Sequence, residues 1–225
     1  MESWFFFALL SFVFSGLYSF FLKVSAEKNH DSSQVSFYTY LSGAFLAGIF
    51  FFLHLDFGFS SFLFIFFLAF LNAFLYFLAT LTRIESLRCI HTTLYFPLYK
   101  TFGPLLVTVV SLFFFKESLS SSEIFGIVLG IFVPLLLINK KESSRQSNLK
   151  KGLFLLFLGM LLATIASSTG KIIMEDNLNF YLYIFLTPLF GLCFSLFTFK
   201  KMGEKKFTPK KMLNSLECLM VFSIF

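Results

Sequence analysis

Charged residues are what this sequence of 225 residues has least of: Asp, Glu, Lys and Arg together make up 13% of it, against roughly 25% in soluble domains. That scarcity excludes a water-soluble globular chain. Cysteine is scarce as well, and Cys89, Cys193 and Cys218 show no C-x-x-C spacing, so neither a disulfide framework nor a zinc site is expected. The histidines, His30, His54 and His91, are too far apart to suggest metal ligation. No P-loop, H-E-x-x-H or G-x-S-x-G motif and no paired intramembrane carboxylates occur, which leaves catalysis and ATP hydrolysis without a foothold. No cofactor is expected. The opening "MES" has no basic segment and the first apolar run is long enough to span, so that run reads as a helix and not as a cleaved signal.

What is present is apolar residues in long runs. Hydrophobic residues reach 57%, with 39 phenylalanines. A membrane-spanning helix needs about 20 such residues in succession, and runs of about that length recur at 4–22, 35–55, 59–81, 89–115, 124–138, 152–170, 178–199 and 212–225. The expectation is an all-α integral membrane protein of about eight spans, with the lipid bilayer as its surroundings. The fifth run is short, but Ser120 and Glu123 form an S-x-x-E capping box that adds a turn. The net charge of +6 does not point to nucleic acid. Of the 18 Lys and Arg, 15 lie in connections after spans one, three, five and seven, which places those connections in the cytoplasm and the N-terminus outside.

The chain also repeats itself. "KVSAEKN" at 23–29 and "KIIMEDN" at 171–177 share Lys, Glu and Asn at one spacing. After a five-residue shortening of the following loop, "FYTY" at 37–40 falls on "FYLY" at 180–183, and Gly48 then meets Gly191. Inside the preceding spans, Ser11, Ser15 and Ser19 match Gly159, Ala163 and Ser167, small residues four apart on one helix face. Five spans separate the copies, and five is odd, so the second copy enters the membrane upside down. Inverted repeats of this kind suit alternating access to a central site. The polar stretch at 139–151 is the natural boundary, giving a first repeat at 1–143 and an incomplete second at 144–225.

At 103–138 the sequence reads "GPLLVTVVSLFFFKESLSSSEIFGIVLGIFVPLLLI". A fourth span containing proline, the sequence Phe115, Lys116, Glu117, a serine-rich turn and a fifth span bearing glycine together resemble the end of an EamA domain of the drug/metabolite transporter superfamily. The resemblance implies two five-helix repeats, ten spans in all, with substrate handled between them. Eight of the ten are accounted for, so the chain reads as truncated at its C-terminus. Relatives of this kind are pictured with a cytoplasmic N-terminus, opposite to what the charge distribution implies.

The candidate site residues follow from polarity within spans. Ser15, Ser19, Ala163 and Ser167 belong to the small stripes, which read either as tight helix packing or as a cavity wall. Asn72, Tyr76 and Thr80 share a face with Ala69 and Ala73, while phenylalanines fill the other faces. Lys100 is either a site residue or a lysine snorkelling to the interface. Pro97, Gly103 and Pro104 are hinge candidates, because proline frees backbone carbonyls within a span. Glu27, Glu117 and Glu175 read as interfacial partners of lysines. Two functions fit: a secondary carrier of a small organic metabolite, or a non-transporting membrane assembly protein or non-functional fragment. In the second case apolar faces would meet lipid or a second copy of the chain.

Overall fold

The structure is a computed structural model that describes residues 3–28, 30–53, 61–136, 148–176 and 178–202. Among these residues there are seven helices: α1 (Ser3–Glu27), α2 (Ser32–Leu53), α3 (Phe62–Cys89), α4 (Thr92–Phe114), α5 (Ser121–Leu136), α6 (Leu149–Glu175) and α7 (Phe180–Met202). Six of them are long and apolar enough to cross a membrane, and α5 is shorter. The expected eighth span at 212–225, together with His54, Asn29 and Asn177, lies outside the described residues. Helix is the economical solution for such sequences, since in hydrocarbon each backbone N–H and C=O must be satisfied within the segment.

Several helices outrun their apolar cores. α1 continues past Leu22 to Glu27, α3 past Leu81 to Cys89 and α6 past Gly170 to Glu175. "KVSAE" and "KIIME" are therefore helix ends and not loops. The reason is local: Lys and Glu are good helix formers, and Lys23 pairs with Glu27 at 3.3 Å one turn on, as Lys171 does with Glu175 at 3.8 Å. Apolar content does not register such polar extensions. The five-residue shortening is not in the loop either. Both connections, 28–31 and 176–179, have the same length, and each ends in a capping side chain. Asp31 accepts the Ser33 N–H at 3.0 Å, and Asn179 accepts the Leu182 N–H at 3.0 Å. The missing residues therefore belong to the first turns of α7. At α5 the capping box forms as the sequence implies, with Glu123 accepting the Ser120 N–H at 2.7 Å.

α3 is the hub, packing against α1, α2, α6 and α7, while α4 lies on α6 and carries α5 on its outer side. Pairwise contacts fix the helix directions. Asn72 meets Ala166 and Thr169, whereas Ser86 of the same helix meets Gly152, so α3 and α6 are antiparallel. The phenylalanine ladder Phe66–Phe190, Phe70–Phe194 and Phe77–Phe194 makes α3 and α7 parallel. Lys23 and Leu87 meet near the C-terminal ends of α1 and α3, which run the same way. Gly48 lies against Phe185 and Gly191 against Tyr40, making α2 and α7 antiparallel. It follows that α6 runs opposite to α1, and α7 opposite to α2. The two Lys–Glu helix ends consequently sit at opposite ends of the bundle.

Two buried clusters occupy those ends. Leu22, Val35, Ile84, Leu87, Tyr95 and Met160 join α1, α2, α3, α4 and α6 at one end, and Ile65, Leu68, Ile173 and Leu182 join α3, α6 and α7 at the other. Close approach is possible where side chains are small. Ala69, Ala73 and Ala166 are fully buried, and a Cβ on Gly159 would stand 2.8 Å from the Thr82 hydroxyl. Without a solvent-driven hydrophobic force between helices, such van der Waals contact is what holds membrane helices together.

Candidate functional site

The face of α3 that carries Ala69, Asn72, Ala73, Tyr76 and Thr80 continues, three residues on, to Arg83, and it turns toward α1, α4 and α6. Its first polar member is fully engaged. Asn72 donates to the Ala166 carbonyl at 2.7 Å and lies 2.8 Å from Thr169 Oγ1 and 2.6 Å from the Tyr183 hydroxyl. It ties α3 to α6 and α7. Asn72→Ala is expected to lower stability by about 0.6–2 kcal/mol, the range for interhelical hydrogen bonds in membranes. The loss is limited because Thr169 and Tyr183 retain their mutual bond at 2.7 Å. Unfolding in detergent by a denaturant series checks the value.

Arg83 is different. Its guanidinium carbon lies 4.6 Å from the ring centroid of Tyr99 and 5.1 Å from that of Tyr18. One terminal N–H points to Ser19 Oγ at 3.2 Å, and Tyr95 engages the group as well. Its Nε–H is shut off from solvent and has no hydrogen-bond partner. A guanidinium has five N–H donors; among the described residues Ser19 and Tyr95 are the partners seen. No carboxylate reaches it among the described residues. Glu85, two positions on, accepts from Ser32 at 2.8 Å and from Arg88 at 2.6 Å. Glu27 pairs with Lys23. Shielding a cation from water carries a cost that grows with depth in the bilayer. The two tyrosine rings beside it offset part of that, by roughly 0.5–2 kcal/mol each.

Around Arg83 the structure gathers side chains from four helices. Tyr18 and Ser19 come from α1, Tyr40 from α2, Tyr76 and Thr80 from α3, and Tyr95 and Tyr99 from α4, with the latter two rings stacked at 5.8 Å. Tyr18 and Tyr40 both engage Thr80. Of the residues expected from sequence, Ser19, Tyr76 and Thr80 belong to this group, and Ser15 adjoins it, its carbonyl accepting from Ser19 at 2.9 Å. Lys100 is exposed on α4, within electrostatic reach of Arg83. It lines a separate groove of about 450 Å³ between α4 and α5, with Thr101, Pro104, Thr108, Glu123 and Gly130. No ion pair engages Lys100 among the described residues. Ala163 is half-buried and Ser167 is exposed, donating to Thr164 at 2.8 Å; neither contacts Arg83. Pro97 and Pro104 both lie inside the one helix α4. Their carbonyls accept from Thr101 at 2.8 Å and Thr108 at 3.0 Å, and Gly103 has open space where a side chain would be.

Arg83, Tyr18, Tyr40, Tyr95 and Tyr99 escaped the sequence reading, which ended the third span at Leu81 and placed Arg83 in a connection. A signal was available. Tyr76, Thr80 and Arg83 stand at i, i+4 and i+7, so the polar face already recognised runs straight on to the arginine. Among the described residues no three of His, Cys, Asp and Glu converge as metal ligands.

At the opposite end of the bundle, Lys171 of α6 binds Glu117 in the α4–α5 connection and donates to Ser111 of α4 at 3.1 Å. It also lies 4.3 Å from the ring centroid of Phe115. Hydrogen bonds from Lys171 and Ser111 hold the Glu117 carboxyl below the usual carboxylate range.

Compared with known proteins, residues 2–139 match the model of the EamA-like transporter family. No curated protein matches the chain.

Proposed function

The chain belongs to the EamA-like transporter family and is an integral, multi-pass membrane protein, and from that premise we propose that it is a secondary carrier moving a small organic metabolite by alternating access. The observation that carries this reading is direction. α6 runs opposite to α1 and α7 opposite to α2, and the repeated Lys–Glu helix end occurs once at each end of the bundle. Two halves related by inversion can exchange conformations, which would open a central site first to one side and then to the other. The polar interior of α1, α3 and α4 gives a solute something to bind, and the exposed phenylalanines of α1, α3 and α5 face lipid in this reading.

Counterflow in proteoliposomes, without ATP, tests it. A carrier loaded inside with unlabelled solute accelerates entry of the labelled solute, because its reorientation is faster when loaded. Across a panel of amino acids, organic acids, sugar phosphates and amines, at least one class should show such trans-acceleration over empty liposomes. Flat uptake across the whole panel would instead favour a non-transporting assembly protein.

A further inference from the structure

Arg83 raises a question that the carrier reading leaves open: what neutralises it. Two cations, Arg83 and Lys100, lie within electrostatic reach of one another, and no acidic side chain pairs with either among the described residues. Two acids at the same end of the bundle, Glu27 and Glu85, are turned to Lys23 and to Arg88 and Ser32. Snorkelling does not resolve the matter for Arg83. It stands six residues inside the end of α3, about 9 Å along the helix, with its Nε–H sealed from solvent and its guanidinium carbon over the rings of Tyr18 and Tyr99. Aromatic rings beside a guanidinium hold it in place by cation–π attraction while its other N–H groups can still donate. That is the geometry in which arginine takes a carboxylate or phosphate through paired hydrogen bonds.

We infer that the site between α1, α3 and α4 takes an organic anion, with its carboxylate or phosphate on Arg83 and its apolar part among Tyr18, Tyr76 and Tyr99. The inference rests on the carrier reading for its biological sense and names the class of solute. The tyrosines supply aromatic faces for the body of the solute and hydroxyls for its polar edges. The charge of Lys100 adds to the attraction without touching Arg83, so the pocket favours anions over their neutral and cationic counterparts.

Arginine modification reads this out independently of transport. The full chain in phosphatidylcholine nanodiscs is treated with phenylglyoxal, and adducts at Arg83 and Arg88 are followed by mass spectrometry. Benzoate or phenyl phosphate at about 10 mM should slow modification of Arg83 about tenfold, which is 1 + [L]/Kd for a Kd of about 1 mM. Benzamide and benzylammonium should not slow it. Arg88, exposed and paired with Glu85, is the internal control and should react equally throughout. As a second measurement, benzoate should raise the Tm of the wild-type chain and leave that of Arg83→Gln unchanged, while Arg83→Gln without ligand should be at least as stable as wild type. A purely structural arginine would give the reverse, a marked loss of stability with no anion effect. Equal Arg83 rates in all additions together with no anion-dependent Tm would overturn the inference. So would protection only in nanodiscs containing phosphatidylglycerol, which would make the anion a lipid headgroup. Protection by benzoate without counterflow of any solute would uphold the anion site and count against the carrier reading, so the two can fail separately.

Discussion

Gly191→Ala is expected to remove most of the folded protein from the membrane, and Tyr40→Leu in the same chain to return a large part of it. A Cβ at position 191 would fall within the ring of Tyr40. That ring has little room to retreat, because Tyr40 is 7% exposed and its hydroxyl engages Thr80. The two helices also pack closely two turns along α2, where Gly48 lies 3.4 Å by its would-be Cβ from Phe185 and Phe51 stacks on Phe185 at 4.9 Å. Overpacking of a close interface typically costs ~1–3 kcal/mol. For a protein of ordinary marginal stability that is a large share of the total. Shortening the aromatic ring to a leucine vacates the volume that the new methyl group needs. The two changes should therefore couple strongly, as neighbours do in a double-mutant cycle. Abundance of monodisperse protein after detergent extraction measures both. If Gly191→Ala accumulates at wild-type levels, α2 and α7 do not pack as described.

The second large effect concerns transport, at the end of the bundle away from Arg83. Lys171→Glu should reduce counterflow, Glu117→Lys should do the same, and the two together should restore it. In the structure Lys171 of α6 ties to Glu117 in the connection between α4 and α5, which on the proposed two-repeat reading joins the two halves. Both side chains are partly exposed, 29% and 48%, so water screens the pair and its net contribution to stability is small. Reversal does more than delete it. A carboxylate at position 171 would stand beside Glu117 and also Glu175, replacing attraction by repulsion from two neighbours. Replacing attraction by repulsion should shift the balance between tied and untied forms several-fold. An alternating-access cycle needs both forms, so flux per folded molecule should fall by that order. The double reversal re-forms a cross-half pair and should recover most of the flux. Equal flux from all four proteins would show that this tie plays no part in the cycle.

The same pair predicts a pH dependence. Glu117 has a folded-state pKa held below its ordinary value, so its contribution is complete at neutral pH and above the unfolded value of ~4.3. It is lost as pH falls through the lower folded-state pKa. The tie therefore does not respond between pH 6 and 8. An acidic change in cross-linking between cysteines placed at positions 117 and 171 would not test this, since the titrating group is gone. Stability of Glu117→Gln against wild type over falling pH would, and the two curves should converge in acid.

How much of this was legible in the sequence varies with the range of the interaction. Apolar runs fixed where six long helices and the shorter α5 lie, because whether about 20 residues can cross a membrane is decided by those residues alone. The capping box at Ser120 and Glu123 was readable for the same reason. The recurrence of Lys, Glu and small residues at one spacing was readable as well, since it needs only the chain compared with itself, and the two-repeat organisation it suggests is part of the proposal. The polar extensions of α1, α3 and α6 were missed, because hydropathy falls where amphipathic helix continues, and with α3 went Arg83.

The site itself was decided by tertiary structure. Asn72 and Arg83 occupy one face of one helix, yet Asn72 is engaged by Ala166, Thr169 and Tyr183, while Arg83 finds tyrosines and, among the described residues, no acid. Nothing within α3 distinguishes them. The difference arises from which helices lie opposite and how each is rotated about its axis, and in a membrane those are set by close packing of small residues between helices. Residues Tyr18, Arg83 and Tyr99 meet because α1 and α3 run parallel and α4 returns across them. Sequence determined that the chain spans the membrane many times and carries a repeated segment; only the packing of α1, α3 and α4 set an arginine among tyrosines with no acid paired to it among the described residues.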